Sequence, residues 1–140
     1  MLTVTIPAYE AFNEETQEFV NVKKTTIQLE HSLISLKKWE QKWHKPFLGK
    51  EAKSLEETID YIKCMTITPN IDQEVYNYIP TNVVKEITEY IEDPMTATWF
   101  NDNKMVGAQK RNDEVVTAEI IYYWMIELGV PVEFQKWHLN

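Results

Sequence analysis

The chain has 140 residues, 44% of them hydrophobic, which is enough to bury one core and too few for two comfortable domains. Its 22 acidic and 14 basic residues give a net charge of −8, which repels phosphate backbones and argues against nonspecific nucleic-acid binding. The single cysteine, Cys64, excludes an internal disulfide and indicates a reducing compartment.

Export and membrane insertion are not indicated. The start MLTVTIPAYE has no basic segment followed by an apolar run, so we expect no export signal. The longest nearly apolar stretch, EIIYYWMIELGV, is shorter than the roughly 20 residues that a membrane-spanning helix needs. We therefore expect a cytoplasmic protein without a membrane partner.

The first 30 residues are predicted to form strands. LTVTI alternates apolar residues with threonine, which is the pattern of a half-buried strand, and Pro7 ends it. AFNEETQEFV places a polar turn between two arms with aromatic residues and predicts a hairpin. TTIQLE then alternates again, which predicts a further strand before the pattern changes.

A helix is predicted to start at Ser32, whose side chain can cap its first turn. Pro46 stops this helix, and Lys37, Lys38 and Lys42 are expected to face mostly outward. Apolar residues spaced by three or four positions form its predicted stripe: Leu33, Leu36, Trp39 and Trp43.

A second helix is predicted from Ser54, because S-L-E-E places Glu57 at the third helical position of a capping box. Its buried stripe is predicted to contain Leu55, Ile59, Ile62 and Met65.

The rest of the chain predicts more helices. PNIDQEVYNYI predicts a short helix, and VVKEITEYIED an amphipathic one that Pro94 ends. A strand is predicted at residues 96–100. The last long helix is predicted over residues 113–128; because IIYYWMI is apolar on nearly every side, we expect it to be the central helix, surrounded by other elements or by a partner. Pro131 can open another helix.

Together these elements predict one α+β domain over residues 1–140. Its β-rich part covers residues 1–30, and a mainly helical part with four or five helices covers residues 32–140.

Charge is divided along the chain. Seven lysines against Glu30 and Glu40 give residues 21–50 a charge of +5, whereas residues 51–100 carry −7. The two segments could attract each other within the fold or across a homo-oligomer contact, or they could form a charged docking site for another molecule.

The sequence contains none of the following catalytic or metal-binding motifs: HExxH, CxxC, the P-loop, GxGxxG and GxSxG. The histidines His31, His44 and His138 have no ligand spacing that favours a metal. An enzyme would need a pocket that joins His31 or His44 to carboxylates such as Glu30 and Glu40. We therefore expect no catalytic residues, no metal and no cofactor.

The helix rich in tryptophan and lysine is therefore expected either to pack against the core or to bind another protein. Five tryptophans are more than a core of this size needs, and partly exposed aromatic residues commonly anchor protein interfaces. The predicted partner-binding residues are Trp39, Trp43, Lys38, Lys42, Trp99, Phe100 and Trp137.

Four stretches carry a resemblance to a known family: LEHSLISLKKWEQKWHKPFLGKE, KSLEETIDYIKCMTITPNIDQEVY, DPMTATWF and TAEIIYYWMIELGVPVEFQKWHLN. From about Thr26 onward the chain resembles small proteins of long-tailed bacteriophages and prophages, the tail assembly chaperones. The resemblance implies a non-catalytic factor of the host cytoplasm, absent from the mature virion, that binds the tape measure protein and tail tube subunits. Self-association into a homo-oligomer would fit such a chaperone, and the stop at Asn140 would fit either the shorter of two frameshift-related forms or a trimmed chain.

Two other classes stay open. An anti-defence or host-takeover protein would block a bacterial factor, and it would be recognised by its binding to a host protein. A structural connector of the virion would be recognised by its presence in purified particles.

Overall fold

A computed structural model of the protein describes residues 1–98 and 115–140. Its fold is α+β, as the sequence predicts, with strands first and helices after them. The strands are β1 (Leu2–Ile6), β2 (Tyr9–Asn13), β3 (Glu18–Val22) and β4 (Thr25–Leu29). The α-helices are α1 (Leu33–Trp43), α2 (Leu55–Met65), α3 (Thr81–Glu92) and α4 (Ala118–Glu127), and the 3₁₀ helices are Gln73–Tyr78 and Val132–Lys136.

The four strands form one long antiparallel ribbon with a break in the middle. β1 pairs with β4 and β2 pairs with β3. Leu2 lies opposite Leu29 and Tyr9 lies opposite Val22, so the same register continues across the break. Pro7 lies in the break, where it has no backbone N–H to donate to the opposite strand.

The tip of the ribbon is the hairpin that AFNEETQEFV predicts. Residues 14–17 form its turn, and Oδ1 of Asn13 accepts hydrogen bonds from two backbone amides of that turn. Phe12 and Phe19 lie opposite each other beside the turn, with ring centroids 5.1 Å apart, and both side chains are exposed. The tip therefore extends away from the core.

The predicted start and stripe of α1 are confirmed. The side chains of Ser32 and Ser35 each accept a hydrogen bond from the other residue's backbone amide, which caps the first turn. His44 ends the helix in the left-handed conformation, with φ of 53°. Leu33, Leu36 and Trp39 are buried and Trp43 is half-buried, whereas the three lysines are exposed.

The start of α2 is confirmed, but its predicted stripe is partly wrong. Ser54 and Glu57 form the capping box. Leu55 is 70% exposed and Ile59 is only half-buried. The buried face of α2 is instead centred on Tyr61, with Glu57 one helical turn before it and Met65 one turn after it. Tyr61 can be buried because its hydroxyl forms hydrogen bonds with Ser35 on α1 and with His31, which precedes α1 in the chain.

The short elements follow the prolines and turn signals of the sequence. PNIDQEVYNYI contains the 3₁₀ helix Gln73–Tyr78, α3 ends before Pro94, and Pro131 precedes the 3₁₀ helix Val132–Lys136. The predicted strand at 96–100 is not found at residues 96–98, and Trp99 and Phe100 lie outside the described residues.

The expectation that the last long helix is central is wrong. α4 contacts α1 along one side, and Ala118 is its only buried residue. Tyr123 is 61% exposed and Ile126 is 79% exposed, so the opposite side carries no covering element among the described residues. Residues 115–117 are not helical, and the predicted start at residue 113 lies outside the described residues.

The core lies where the β1–β4 pair meets α1, α2 and α3. It contains the following large hydrophobic residues, each of which has less than 2% of its surface exposed: Ile6, Ile27, Leu29, Leu36, Trp39, Tyr61, Ile62, Met65 and Ile87.

Replacing Trp39 with alanine should lower the free energy of unfolding by about 3–5 kcal/mol, because the change leaves a cavity and removes a buried hydrogen-bond donor. Urea unfolding followed by circular dichroism measures this. Leu55→Ala, on an exposed side chain, should change the same quantity by less than about 0.5 kcal/mol. Equal losses for the two variants would contradict the burial of Trp39.

Candidate protein-binding surface

Two of the predicted partner-binding residues, Trp39 and Trp43, are directed into the fold. Trp39 is fully buried, and its Nε1 donates a hydrogen bond to the backbone carbonyl of Glu57 at 2.9 Å. Trp43 is half-buried and donates from Nε1 to Oδ2 of Asp60, also at 2.9 Å. The prediction that they form a docking face is corrected for Trp39, and the main role of Trp43 is to join α1 to α2.

The predicted lysines differ from each other. Lys38 is exposed, whereas Lys42 pairs with Asp60 on α2. Lys45 pairs in the same way with Glu57. The hydrogen bond from Lys45 lowers the pKa of Glu57, and the bond to Asp60 raises the pKa of Lys42. These pairs join the basic segment to the acidic one within the fold, as one interpretation of the charge division predicts.

Trp137 is the predicted aromatic residue that the structure does place at the surface. Its side chain is 63% exposed, and its ring packs on that of Phe134 with centroids 4.2 Å apart. The other two predicted aromatic residues, Trp99 and Phe100, lie outside the described residues.

Trp137 belongs to a larger group of exposed apolar side chains, which we call the C-terminal apolar surface. α4, the 3₁₀ helix Val132–Lys136 and the residue that follows each of them carry this group. Between the two helices Gly129 turns the chain with φ of 68°, which favours glycine. The members are Tyr123, Trp124, Ile126, Leu128, Val132, Phe134 and Trp137. The sequence showed the apolar character of IIYYWMI, but it predicted a central helix, surrounded by other elements or by a partner, and not one that is open on one side.

Hydrogen bonds on the inner side hold this surface in place. The hydroxyl of Tyr122 donates to Oε1 of Gln135 at 2.7 Å, and the amide of Val130 donates to the carbonyl of Met125 at 2.8 Å. Nζ of Lys37 on α1 lies 5.4 Å from the centroid of the Tyr122 ring. The 3₁₀ helix is thus fixed to α4, and α4 to α1.

The last residues bind back to the body of the protein. The amide of Leu139 donates to the carbonyl of His31 at 2.8 Å. The side-chain amide of Asn140 donates to the carbonyls of Ile91 and Asp93 near the end of α3, both at 2.9 Å. The chain end therefore connects the C-terminal apolar surface to the β4–α1 junction and to α3.

A buried histidine supports this junction. His31 is 1% exposed, and a hydrogen bond of 2.6 Å joins its Nδ1 to the hydroxyl of Tyr61. Its ring packs edge-on against His138, with centroids 5.3 Å apart, and Nε2 of His138 is buried without a hydrogen-bond partner in the described residues. Burial, with a smaller contribution from His138, lowers the pKa of His31 to about 4. His31 is therefore neutral near pH 7.

The candidate acid–base groups have structural partners. Glu30 accepts a hydrogen bond from the Tyr90 hydroxyl at 2.7 Å and lies 3.1 Å from the N-terminal amine. A cavity of about 480 Å³ does join His44 to Glu40. The Glu40 oxygens, however, accept hydrogen bonds from backbone amides of Phe47 and Ala118. Glu40 thus connects α1 to the first residue of α4.

Within residues 1–98 and 115–140, no group of three or more His, Cys, Asp or Glu side chains is arranged to hold a metal ion. Burial raises the pKa of the Cys64 thiol to about 11, so little of it is the reactive thiolate near pH 7. No helix in these ranges has the length and apolar composition needed to cross a bilayer.

Acidification from about pH 6.5 to about pH 4 should lower the free energy of unfolding, with His31 contributing up to about 3 kcal/mol. In this range the unfolded chain protonates His31 while the folded chain keeps it neutral; above pH 6.5 both forms are neutral and the contribution vanishes.

Urea unfolding at about pH 7, 5.5 and 4.5 measures this effect. His31→Gln, which keeps a polar partner for Tyr61, should lose less stability over that range than the natural chain. The lowered pKa of Glu57 also costs stability in acid, but both proteins carry that carboxylate. Identical pH profiles would contradict a neutral buried His31.

Comparison with known proteins adds no relative. No family model, no curated protein sequence and no solved structure matches this chain.

Proposed function

We propose that this protein is a tail assembly chaperone of a long-tailed bacteriophage. It acts in the host cytoplasm, binds the tape measure protein and tail tube subunits while the tail is built, and does not remain in the mature virion. The single observation that carries the proposal is the C-terminal apolar surface, which adds to the resemblance in the sequence blocks from Thr26 onward.

The surface has the character that a chaperone for apolar helices needs. Large apolar patches on a folded domain commonly mark protein-binding sites, and tryptophan and tyrosine are frequent anchors in such sites. Ile126 and Leu128 are each more than three-quarters exposed, so they can be covered by a client without unfolding the domain. The net charge of −8 opposes aggregation of the free protein through that patch.

The proposed role is non-catalytic. The partners of His31, Glu30 and Glu40 are groups of the fold itself, and each of these contacts joins one structural element to another. These residues therefore support the scaffold that presents the surface.

A tagged chain, purified from cells infected with the phage that encodes it, should bring with it the tape measure and tail tube proteins. Mass spectrometry of the eluate and of purified virions measures both this recovery and the expected absence of the chain from particles. A host protein alone in the eluate would favour the anti-defence alternative. Abundance in virions would favour a structural connector.

Ile126→Gln should reduce recovery of the tape measure protein at least about tenfold, because it removes the most exposed apolar side chain of the surface without changing charge. Phe19→Gln at the hairpin tip is the matched control, since Phe19 is 80% exposed and Ile126 79%. Circular dichroism checks that both variants fold. Equal recovery with the two variants would contradict binding through the C-terminal apolar surface.

A further inference from the structure

The two outer edges of the β1–β4 pair differ in what covers them. On the β4 side, the carbonyl of Gln28 accepts a hydrogen bond from the amide of Ile67 at 2.8 Å, and the amide of Gln28 donates to Oγ1 of Thr68 at 2.9 Å. The amide of Glu30 likewise donates to the carbonyl of Met65 at 3.0 Å. The end of α2 and the residues after it therefore cover the edge of β4.

The outer edge of β1 has no such cover. In an antiparallel pair, the backbone groups of successive residues point alternately toward the partner strand and away from it. Thr3 lies opposite Gln28, whose backbone groups point away from β1, so those of Thr3 point away from β4. Those of Thr5, two residues further along, do the same. Among the described residues, no hydrogen bond to another segment reaches the backbone of Thr3 or Thr5.

These unpaired groups lie at the surface. Thr3 and Thr5 are exposed, whereas Val4 and Ile6 between and beyond them are buried. α3 contacts β1, and its buried residues belong to the same core as Val4 and Ile6. Buried backbone groups are almost always paired, so unpaired ones on exposed residues indicate an edge that water reaches. We call the outward backbone groups of Thr3 and Thr5 the open edge of β1.

The open edge lacks the features that commonly prevent pairing between edge strands. Such strands often carry a charged side chain, a proline or a bulge that hinders the approach of another strand. LTVTI contains no charge and no proline, and it pairs with β4 from Leu2 to Ile6 without a bulge. Pro7 follows directly and carries no N–H, so added pairing would end at Ile6. The open edge can therefore accept one short strand.

The sequence of β1 is complementary to itself. LTVTI has the same pattern in both directions, with a threonine on either side of Val4 and a branched aliphatic residue at each end. When two copies pair antiparallel about a two-fold axis at Val4, Thr3 of one copy lies opposite Thr5 of the other. Leu2 then lies opposite Ile6. Because the backbone groups of both threonines point outward, each threonine pair exchanges both of its backbone hydrogen bonds.

The side chains suit the same alignment. Residues that lie opposite each other in an antiparallel pair share one face of the sheet, and pairs of threonines there are favourable. Thr5 already makes such a contact within the chain, through a hydrogen bond of 3.1 Å between its Oγ1 and that of Thr26. A shift of one residue would place Thr3 opposite Val4, whose backbone groups point toward β4 and are not available. The alignment about Val4 is the one that uses both threonines.

From these observations, and independently of the proposed function, we propose that the open edge of β1 binds the same edge of a second copy of the chain. The resulting dimer has one antiparallel sheet of four strands, in the order β4, β1, β1 of the partner and β4 of the partner. The two-fold axis keeps the core-facing sides of both copies on the same face of that sheet.

Sedimentation equilibrium of the full chain, over a wide range of concentration, should show reversible dimerisation. Hydrogen exchange followed by NMR should show the amides of Thr3 and Thr5 exchanging at least about tenfold more slowly in the dimer, because they gain acceptors only there. A chain that remains monomeric at every concentration, or a dimer in which these amides exchange as fast as in the monomer, would overturn the proposal.

Paired charge changes test the alignment. Thr3→Glu combined with Thr5→Glu places like charges opposite each other at both threonine pairs, and the dimer should weaken at least about tenfold. Thr3→Glu combined with Thr5→Lys places opposite charges there, and its dimer should be at least about tenfold tighter than that of the doubly acidic variant. In a parallel pairing each residue would face its own copy, so both variants would be repelled. Equal weakening by the two variants would therefore contradict the alignment about Val4.

The matched control changes the neighbouring strand. Thr26→Glu combined with Gln28→Glu adds the same charge to the same exposed face, but on β4, and should change the dissociation constant by less than about threefold. Circular dichroism checks that every variant folds. A dimer that survives in the doubly acidic β1 variant, or one that Ile126→Gln dissociates, would assign self-association to another surface and overturn the proposal.

A strand from another protein is the alternative occupant of the open edge. If the purified chain is monomeric and the doubly acidic β1 variant loses a protein that the natural chain recovers from infected cells, the edge belongs to that protein and the second-copy proposal falls. The chaperone proposal rests on the C-terminal apolar surface and is tested by Ile126→Gln, so either proposal can fail while the other stands.

Discussion

The hydroxyl group of Tyr61 is the contact on which the rest of the fold depends. Inside the core it meets Nδ1 of His31 at 2.6 Å and Oγ of Ser35 at 3.3 Å, while its ring stacks on Phe47 with centroids 3.8 Å apart. One side chain of α2 thus connects the end of the ribbon, the first turn of α1 and the loop after it. An unpaired hydroxyl in a core destabilises a protein, so these elements must pack together for the Tyr61 hydroxyl to keep its hydrogen bonds. The carbonyl of His31 then accepts the amide of Leu139, so the C-terminal residues rely on the same junction.

α4 shows how such a scaffold can present an apolar surface. A helix that is apolar all round must be covered on every side or leave one side open to a partner. Here α1 covers one side, and Glu40 anchors the start of the helix through the amide of Ala118 at 2.8 Å. The inner side therefore provides the attachment, and the outer side, with Tyr123 and Ile126, remains open to binding. Attachment by one side only is what allows exposure without loss of the fold.

The sequence predicted what is local and missed what depends on neighbours. Ser32 and Ser54 revealed helix starts because a cap and its partner lie within four residues of each other. The docking role expected of Trp39 failed, because the acceptor of its N–H group is a carbonyl on α2, 18 residues away in the chain. Leu55 was misplaced for a related reason: its apolar character is local, but the face that α2 buries is set by the partners of Tyr61. The apolar residues of the C-terminal apolar surface could be recognised in the sequence. Their exposure could not, because it depends on how many other elements pack around α4.

The distribution of charge follows from the same packing. Lys42 and Lys45 are paired with carboxylates of α2, so part of the basic segment joins two helices of the fold. The other lysines of the first helix, Lys37 and Lys38, stay exposed, and Nζ of Lys37 lies 5.4 Å from the centroid of the Tyr122 ring on α4. The basic segment therefore joins α1 to α2 through ion pairs and to α4 through an aromatic ring, and both contacts support the side of α4 that is attached to the fold.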